Sequence, residues 1–196
     1  VNLDDLIKSG TKLNPGDKVY VNNRDKNLCL FVMGKKPLSE GMNILGAHID
    51  SPRLDLKQKP LYEDHGLVLM DTHYYGGVKK YQWVATPMAI HGVVCKKDGT
   101  KLNIVIGEKD SDPVVGISDL LIHLSSDQMQ KPGAKVVEGE DLNVLVGSIP
   151  AKDEEKDPVK TAILNLLKET YNIEEDDFIS AELEIVPAGA ARDYGL

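Results

Sequence analysis

The chain has 196 residues, enough for one large domain or two modest ones, and 41% of them are hydrophobic, so a real core can be buried. The formal net charge is −8 and the pI about 5.1, with no run of Lys and Arg forming a basic stripe, which argues against nucleic acid as a partner. No apolar run approaches the roughly 20 residues a membrane-spanning helix needs, so no membrane is expected as a partner either. The opening Val1-Asn2-Leu3-Asp4-Asp5 lacks the basic and apolar regions of a signal peptide. Cys29 and Cys95 are not in a Cys-x-x-Cys arrangement and read as buried free thiols of a reducing compartment. A cytoplasmic protein is the expectation.

In chain order, residues 1–17 are polar and broken by Gly10, Pro15 and Gly16, with one helical turn expected at 3–7. Residues 18–21 and 28–33 are rich in β-branched and apolar side chains and read as strands, joined by a hairpin-type loop at 22–27. Residues 43–48 read as a third strand, which would put the three at the edge of a larger sheet. Beyond Pro60 come further strands at 67–70, 83–94, 102–106 and 142–146. A glycine-containing bend lies at 74–78, and Asp98-Gly99 carries a type I′ hairpin signal. Pro87 marks a bulge or an edge in the 83–94 stretch, which is long and apolar and is expected to be an exposed edge that pairs with a second chain. A short helix ending near His123 is expected within 113–124. Short strands with frequent turns describe a compact β-rich module of about 120 residues.

The charged stretch 151–158 leads into a helix, with Asp157 able to cap and Pro158 suited to its first position. Val159, Ala162, Ile163, Leu166, Leu167 and Tyr171 recur at helical spacing as one apolar stripe. A half-buried strand follows at 178–186, with Ile179, Ala181, Leu183 and Ile185 turned inward. Residues 187–196 show no core-forming pattern and read as a connection.

The chemistry concentrates in residues 43–60. His48 and Asp50 stand two residues apart at the end of the expected strand, and residues so spaced in a strand share a side. An imidazole beside a carboxylate is a common way to build one metal ligand with its orienting partner, although solvated His-x-Asp pairs are far commoner. Ala47-His48-Ile49-Asp50-Ser51-Pro52-Arg53, followed by Tyr74-Tyr75-Gly76-Gly77-Val78-Lys79-Lys80-Tyr81-Gln82-Trp83, resembles the aspartyl aminopeptidase family of zinc metallo-aminopeptidases, in its bacterial branch. Leu121-Ile122-His123-Leu124 and the late Glu182-Leu183-Glu184-Ile185-Val186-Pro187-Ala188 fit the same family, in the same order.

The resemblance implies an α/β zinc-peptidase domain, present here in part, with an inserted β-rich lid and dimerisation domain. Residues 1–59 would be the N-terminal part of the catalytic domain, 60–187 the inserted domain, and 188–196 the start of the return. The family carries over His48 as a zinc ligand, Asp50 as the catalytic-site residue that orients it, and His123 as a lid residue reaching the substrate site of a neighbouring subunit. From the residues alone, a lone His in an apolar turn such as His123 reads more often as structural. His65 and His73 read as loop residues and His91 as lying on a strand face.

A two-zinc peptidase needs several carboxylates, including a Glu base. The acidic pairs Glu154-Glu155, Glu174-Glu175 and Asp176-Asp177 lie in highly charged stretches and read as solvated faces. The family's remaining ligands and its catalytic glutamate fall beyond the matching segment. The expected function is therefore a zinc-dependent aminopeptidase, with two zinc ions in the complete protein, acting on peptides. This chain would hold only part of the active site, and the protein would be a homo-oligomer built from dimers to a dodecamer. Two alternatives stand beside it: a non-catalytic assembly and lid module, or a related zinc amidohydrolase.

Overall fold

In the computed structural model of the chain, which describes residues 1–195, Asn2 opens the first helix, α1 (Leu3–Ser9), and its side chain accepts the Asp4 N–H at 2.8 Å. Gly10 ends the helix in the left-handed region at φ 66°, where a glycine carries no Cβ penalty. A hairpin follows, β1 (Lys18–Asn23) against β2 (Asn27–Val32), in register from Lys18↔Val32 to Asn23↔Asn27. Its turn places Arg24 and Asp25 both at positive φ, as a type I′ turn requires, and the Lys26 N–H closes it on the Asn23 carbonyl at 3.1 Å.

These elements belong to the first of two compact units, Val1–Ile49, in which Val19 is the one buried side chain among the described residues. The third strand expected at 43–48 is not formed, and residues 41–52 carry no regular secondary structure. Ile44 and Leu45 are 80% and 99% exposed, so the segment has no apolar cover, and a strand is stable only when its ladder is paired and one face is covered. The hairpin is accordingly a two-stranded sheet.

The second unit begins at Asp50 and is organised by a six-stranded sheet. Its strands are β3 (Arg53–Asp64), β4 (Leu67–Tyr75), β5 (Met88–Cys95), β6 (Lys101–Ile106), β7 (Val144–Gly147) and β8 (Ala181–Pro187). The spatial order is β6-β5-β8-β3-β4-β7, and every neighbouring pair is antiparallel. Strand β3 runs through position 60, and the two compact units divide between Ile49 and Asp50. The register of β3 on β4 shifts between Leu56 and Leu61, with Lys59 at φ 50° and Pro60 buried, because a proline has no N–H to give the ladder. His65 and Gly66, both at positive φ, turn β3 into β4.

Three local expectations are corrected. The stretch 83–94 is not one exposed edge strand: β5 starts only at Met88, after Pro87, and lies between β6 and β8. A proline cannot donate inside a ladder, so the strand begins beyond it. At Asp98-Gly99 only Gly99 has positive φ, 86°, so the turn is not type I′. Its bonds, Gly99 N–H to the Lys96 carbonyl and Lys96 N–H to the Thr100 carbonyl, are those of a three-residue loop with a left-handed glycine. His73 lies within β4 rather than in a loop.

Residues 115–117 bridge β5 and β7 through Met88↔Val115 and Gly116↔Leu145. A single helical turn, α2 (Ser126–Met129), precedes β7. The long helix α3 (Pro158–Tyr171) packs Val159, Ile163, Leu164, Leu167 and Tyr171 on the core formed by Leu54, Val68, Met88, Ile185 and their neighbours. Leu166, expected on that stripe, is 55% exposed, and Leu164 takes its place.

The helix cap also differs from the expectation. Asp157 makes no side-chain cap bond, whereas Glu63 Oε2 accepts the N–H groups of Val159 and Lys160 at 2.9 Å each. The two first-turn donors are thus satisfied from β3, and a carboxylate is favourable at a helix N-terminus. Glu63→Ala is expected to lower unfolding stability by about 1 kcal/mol, the usual cost of a lost cap. Asp157→Asn is expected to change it little, since asparagine also tolerates the left-handed conformation. Urea denaturation of both variants checks the assignment.

Candidate functional site

Asp50 opens the second unit, and its Oδ2 accepts a hydrogen bond from the Tyr75 hydroxyl at 2.9 Å. Tyr75 closes β4 and stands opposite Arg53, the first residue of β3. That register brings the Arg53 guanidinium to 4.1 Å from the centroid of the Tyr75 ring. Arg53 Nε in turn donates to Asp55 Oδ1 at 2.7 Å and pairs with Glu184 Oε1 at 3.1 Å. Asp55 and Glu184 face each other across β3 and β8, so the two central strands anchor the arginine.

Partial burial works against the Arg53 charge, but the Asp55 hydrogen bond and the Glu184 and Asp55 carboxylates more than offset it and raise the guanidinium above its ordinary value. The hydrogen bond to Asp50 and that carboxylate's charge likewise raise the Tyr75 phenol, so it stays protonated and donating at neutral pH.

His48 lies in the exposed irregular segment of the first unit, and Asp50 at the start of the second. Residues two apart share a side in a strand, and this segment is not one. His123 sits exposed in a short 3₁₀ turn, Ile122–Leu124, flanked by Leu121, Ile122 and Leu124 at about 70% exposure. An open cleft of about 480 Å³ lies at the β5–β7 bridge, lined by residues 85–87, 114–118 and 145–148, and contains none of the three candidate residues.

The other titratable candidates have structural work. The ring of His73 stacks on Tyr74, and His65 pairs with Asp64 in the β3–β4 turn. Glu174 and Asp177 form a reciprocal cap on the 3₁₀ segment Glu175–Ser180, and Asp177 is buried rather than solvated because it accepts the Glu174 N–H there. Glu175 pairs with Lys160, and Asp176 with Lys59 and Lys97. Cys29 is exposed and Cys95 half-buried, not the buried pair expected, because β2 is uncovered in its unit and β5 runs into the turn at Cys95.

His91 lies on β5, as expected of a strand-face residue, and its Nε2 meets Glu108 Oε1 at 2.7 Å. Glu108 Oε2 accepts the Gly189 N–H at 3.2 Å, so one carboxylate fastens the outgoing residue 189 to the sheet. The His91 bond, with a smaller share from Gly189, holds the Glu108 carboxyl below its ordinary 4.5. A lowered folded-state pKa gives stability that is present above 4.5 and lost as pH falls through the lower folded value. The protection of the Gly189 amide, its exchange rate relative to the intrinsic rate at the same pH, is therefore expected to fall on acidification below 4.5, and Glu108→Gln is expected to remove that pH dependence.

Residues 4–196 match the family model described as aminopeptidase I zinc metalloprotease (M18). The chain belongs to the M18 aminopeptidase family. That is the family whose motifs surround His48, Tyr75 and Glu184. A probable M18 family aminopeptidase 1 of Clostridium acetobutylicum is 63% identical over 195 residues, covering 99% of this chain and 42% of the relative. A probable M18 family aminopeptidase 1 of Thermotoga maritima is 49% identical over 181 residues, covering 91% of this chain and 39% of the relative. The crystal structure of aminopeptidase I from Clostridium acetobutylicum superposes with a TM-score of 0.86 over 98% of this chain and 42% of that one. The chain thus spans about two fifths of the length of these M18 relatives. Its fold is a mixed α/β fold with a sheet, shared with M18 structures.

A catalytic zinc takes three protein ligands, and among the described residues no group of three His, Cys, Asp or Glu side chains gathers. His48 and Asp50 are of the donor types a zinc site uses, but the described residues do not complete one.

None of the described helices is long and apolar enough to cross a membrane. The Tyr75–Asp50 bond and the Arg53 brace were not legible as contacts in the sequence. The available signal was that Arg53 and Tyr75 both lie inside the two quoted motifs; their register across β3 and β4 was not.

Proposed function

We propose that this chain forms part of a zinc-dependent aminopeptidase that removes N-terminal residues from peptides. The observation that carries the reading is the M18 match over residues 4–196, together with 63% identity to a probable M18 aminopeptidase over nearly the whole chain. M18 membership also favours a peptidase over the amidohydrolase alternative. In this reading His48 is one zinc ligand, Asp50 orients it, and the complete protein holds two zinc ions, with further ligands and a Glu base supplied by sequence beyond these residues. Asp50 is already held by Tyr75, which supports an orienting role.

Residues 1–59 would be the N-terminal part of the catalytic domain, 60–187 the inserted lid and oligomerisation domain, and 188–196 the start of the return. That the chain forms two compact units, the second built on the six-stranded sheet, supports a two-domain reading. Self-association is supported by the fold shared with an mApe1 dodecamer from S. cerevisiae, at 22% identity and a TM-score of 0.55. A dimer building to a closed dodecamer would admit peptides and exclude folded proteins, and His123 would reach a neighbouring subunit's substrate site. Cytoplasmic residence is part of the proposal, supported by two free thiols, one of them exposed.

The test is release of N-terminal residues from short peptides by the longer gene product with zinc or cobalt added. Release is the expected result, and its absence under both metals would sink the reading. A second reading, that these 196 residues act as a non-catalytic assembly module, is favoured by the lack of a three-ligand group among the described residues. Under both readings the 196-residue chain alone is expected to bind zinc no tighter than about micromolar, because one imidazole does not make a three-ligand site. Stoichiometric, tight zinc measured in the isolated chain would overturn that expectation.

A further inference from the structure

We propose that Tyr75 and Arg53 are positioning residues that set the direction of the Asp50 carboxylate, an inference that rests on the aminopeptidase reading for the importance of Asp50. Asp50 lies in a segment without regular secondary structure, so no strand ladder orients it. The Tyr75 hydroxyl does so, donating to Oδ2 at 2.9 Å.

Tyr75 is itself an exposed ring at a strand end, and a free phenol there would sample several rotamers. Arg53 removes that freedom. Its guanidinium lies 4.1 Å from the ring centroid, and its Nε is committed to Asp55 at 2.7 Å and Glu184 at 3.1 Å. The planar guanidinium suits both tasks, offering a flat cationic face to the ring and directed N–H groups to the carboxylates; an ammonium has no such face. The bend after Tyr75 begins at Gly76, whose φ of 75° is a conformation that favours glycine. Position runs from the paired strands β3 and β8 through Arg53 to Tyr75 and from Tyr75 to Asp50.

The test uses the longer protein with Tyr75→Phe, Asp50→Asn and the double variant, assayed for peptide hydrolysis and thermal unfolding. Tyr75→Phe keeps the ring on Arg53 and removes only the hydroxyl. It is expected to lower kcat roughly 10-fold or more, the lower end for loss of an orienting partner, with KM and melting temperature unchanged. The double variant is expected to be no worse than Asp50→Asn alone, because groups acting through one another are not additive. Arg53→Lys, which keeps the charge and loses the planar face, is expected to reproduce part of the Tyr75→Phe loss.

Fully additive losses, or a Tyr75→Phe variant with wild-type kcat, would overturn the proposal. Should the wild-type longer protein hydrolyse no peptide, the aminopeptidase reading falls by itself. The positioning role is then decided by crystal structures of the wild type and Tyr75→Phe. An Asp50 carboxylate ordered in the first and dispersed in the second supports it, and one conformation shared by both overturns it.

Discussion

Replacing His48 with alanine in the longer protein is expected to lower bound zinc and abolish peptidase activity while the fold survives. The fold should survive because His48 is exposed in a segment without regular structure, where truncation leaves no cavity and breaks no ladder. Metal binding should not survive, because a catalytic site has few protein ligands and each supplies a large share of the affinity. Asp50→Ala, which leaves the ligand and removes its orienting partner, is expected to cost less, about 10–100-fold. Metal analysis of the purified variants, with circular dichroism to establish folding, orders the two effects. Equal zinc content in wild type and the His48 variant would rule out the ligand assignment.

Gly92→Ala is expected to prevent the sheet unit from folding, or to destabilise it by more than about 4 kcal/mol, a size reserved for a few severe mechanisms. Gly92 lies in the middle of β5, paired with Leu183 on one side and Ile104 on the other. A Cβ there would stand 1.9 Å from the Glu182 carbonyl oxygen and 3.0 Å from the Leu183 Cα. These are backbone atoms of the adjoining strand, so relief requires β5 and β8 to separate where they pair from Met88↔Pro187 to Val94↔Ala181. The φ of 144° adds a conformation that side chains rarely adopt. By contrast, Gly99→Ala, in the open turn after β5, meets nothing within 4 Å and should cost only the strain of its positive φ. A comparison of soluble yield and urea midpoints for the two alanine variants tests whether close strand approach, rather than glycine's flexibility, sets the requirement.

Most elements were legible because their signals are local. The β1–β2 hairpin, the helix from Pro158 and the alternation of Leu183 and Ile185 in β8 follow from side-chain periodicity and turn chemistry within a few residues. The family was legible for a related reason: its motifs are short runs of adjacent residues around His48, Tyr75, His123 and Glu184.

What depends on partners far along the chain was decided by tertiary structure. Residues 43–48 have the composition of a strand, but a strand exists only where another pairs with it, and the exposed Ile44 and Leu45 have no such cover. The apolar stretch at 83–94 looks the same whether it becomes an edge or a centre, and only the return of β8 some 90 residues later places β5 inside the sheet. The cap of α3 comes from Glu63 across the sheet, because Asp157 is turned into the left-handed region.

The same reason governs the site. Sequence singled out His48 and Asp50 by residue type and spacing, since donor chemistry is written in the side chains themselves. That Asp50 is held by Tyr75, and Tyr75 by Arg53 between Asp55 and Glu184, depends on the registers of β3 with β4 and β8. A strand register is set by turns, bulges and the buried face of the whole sheet, which no single stretch of sequence contains.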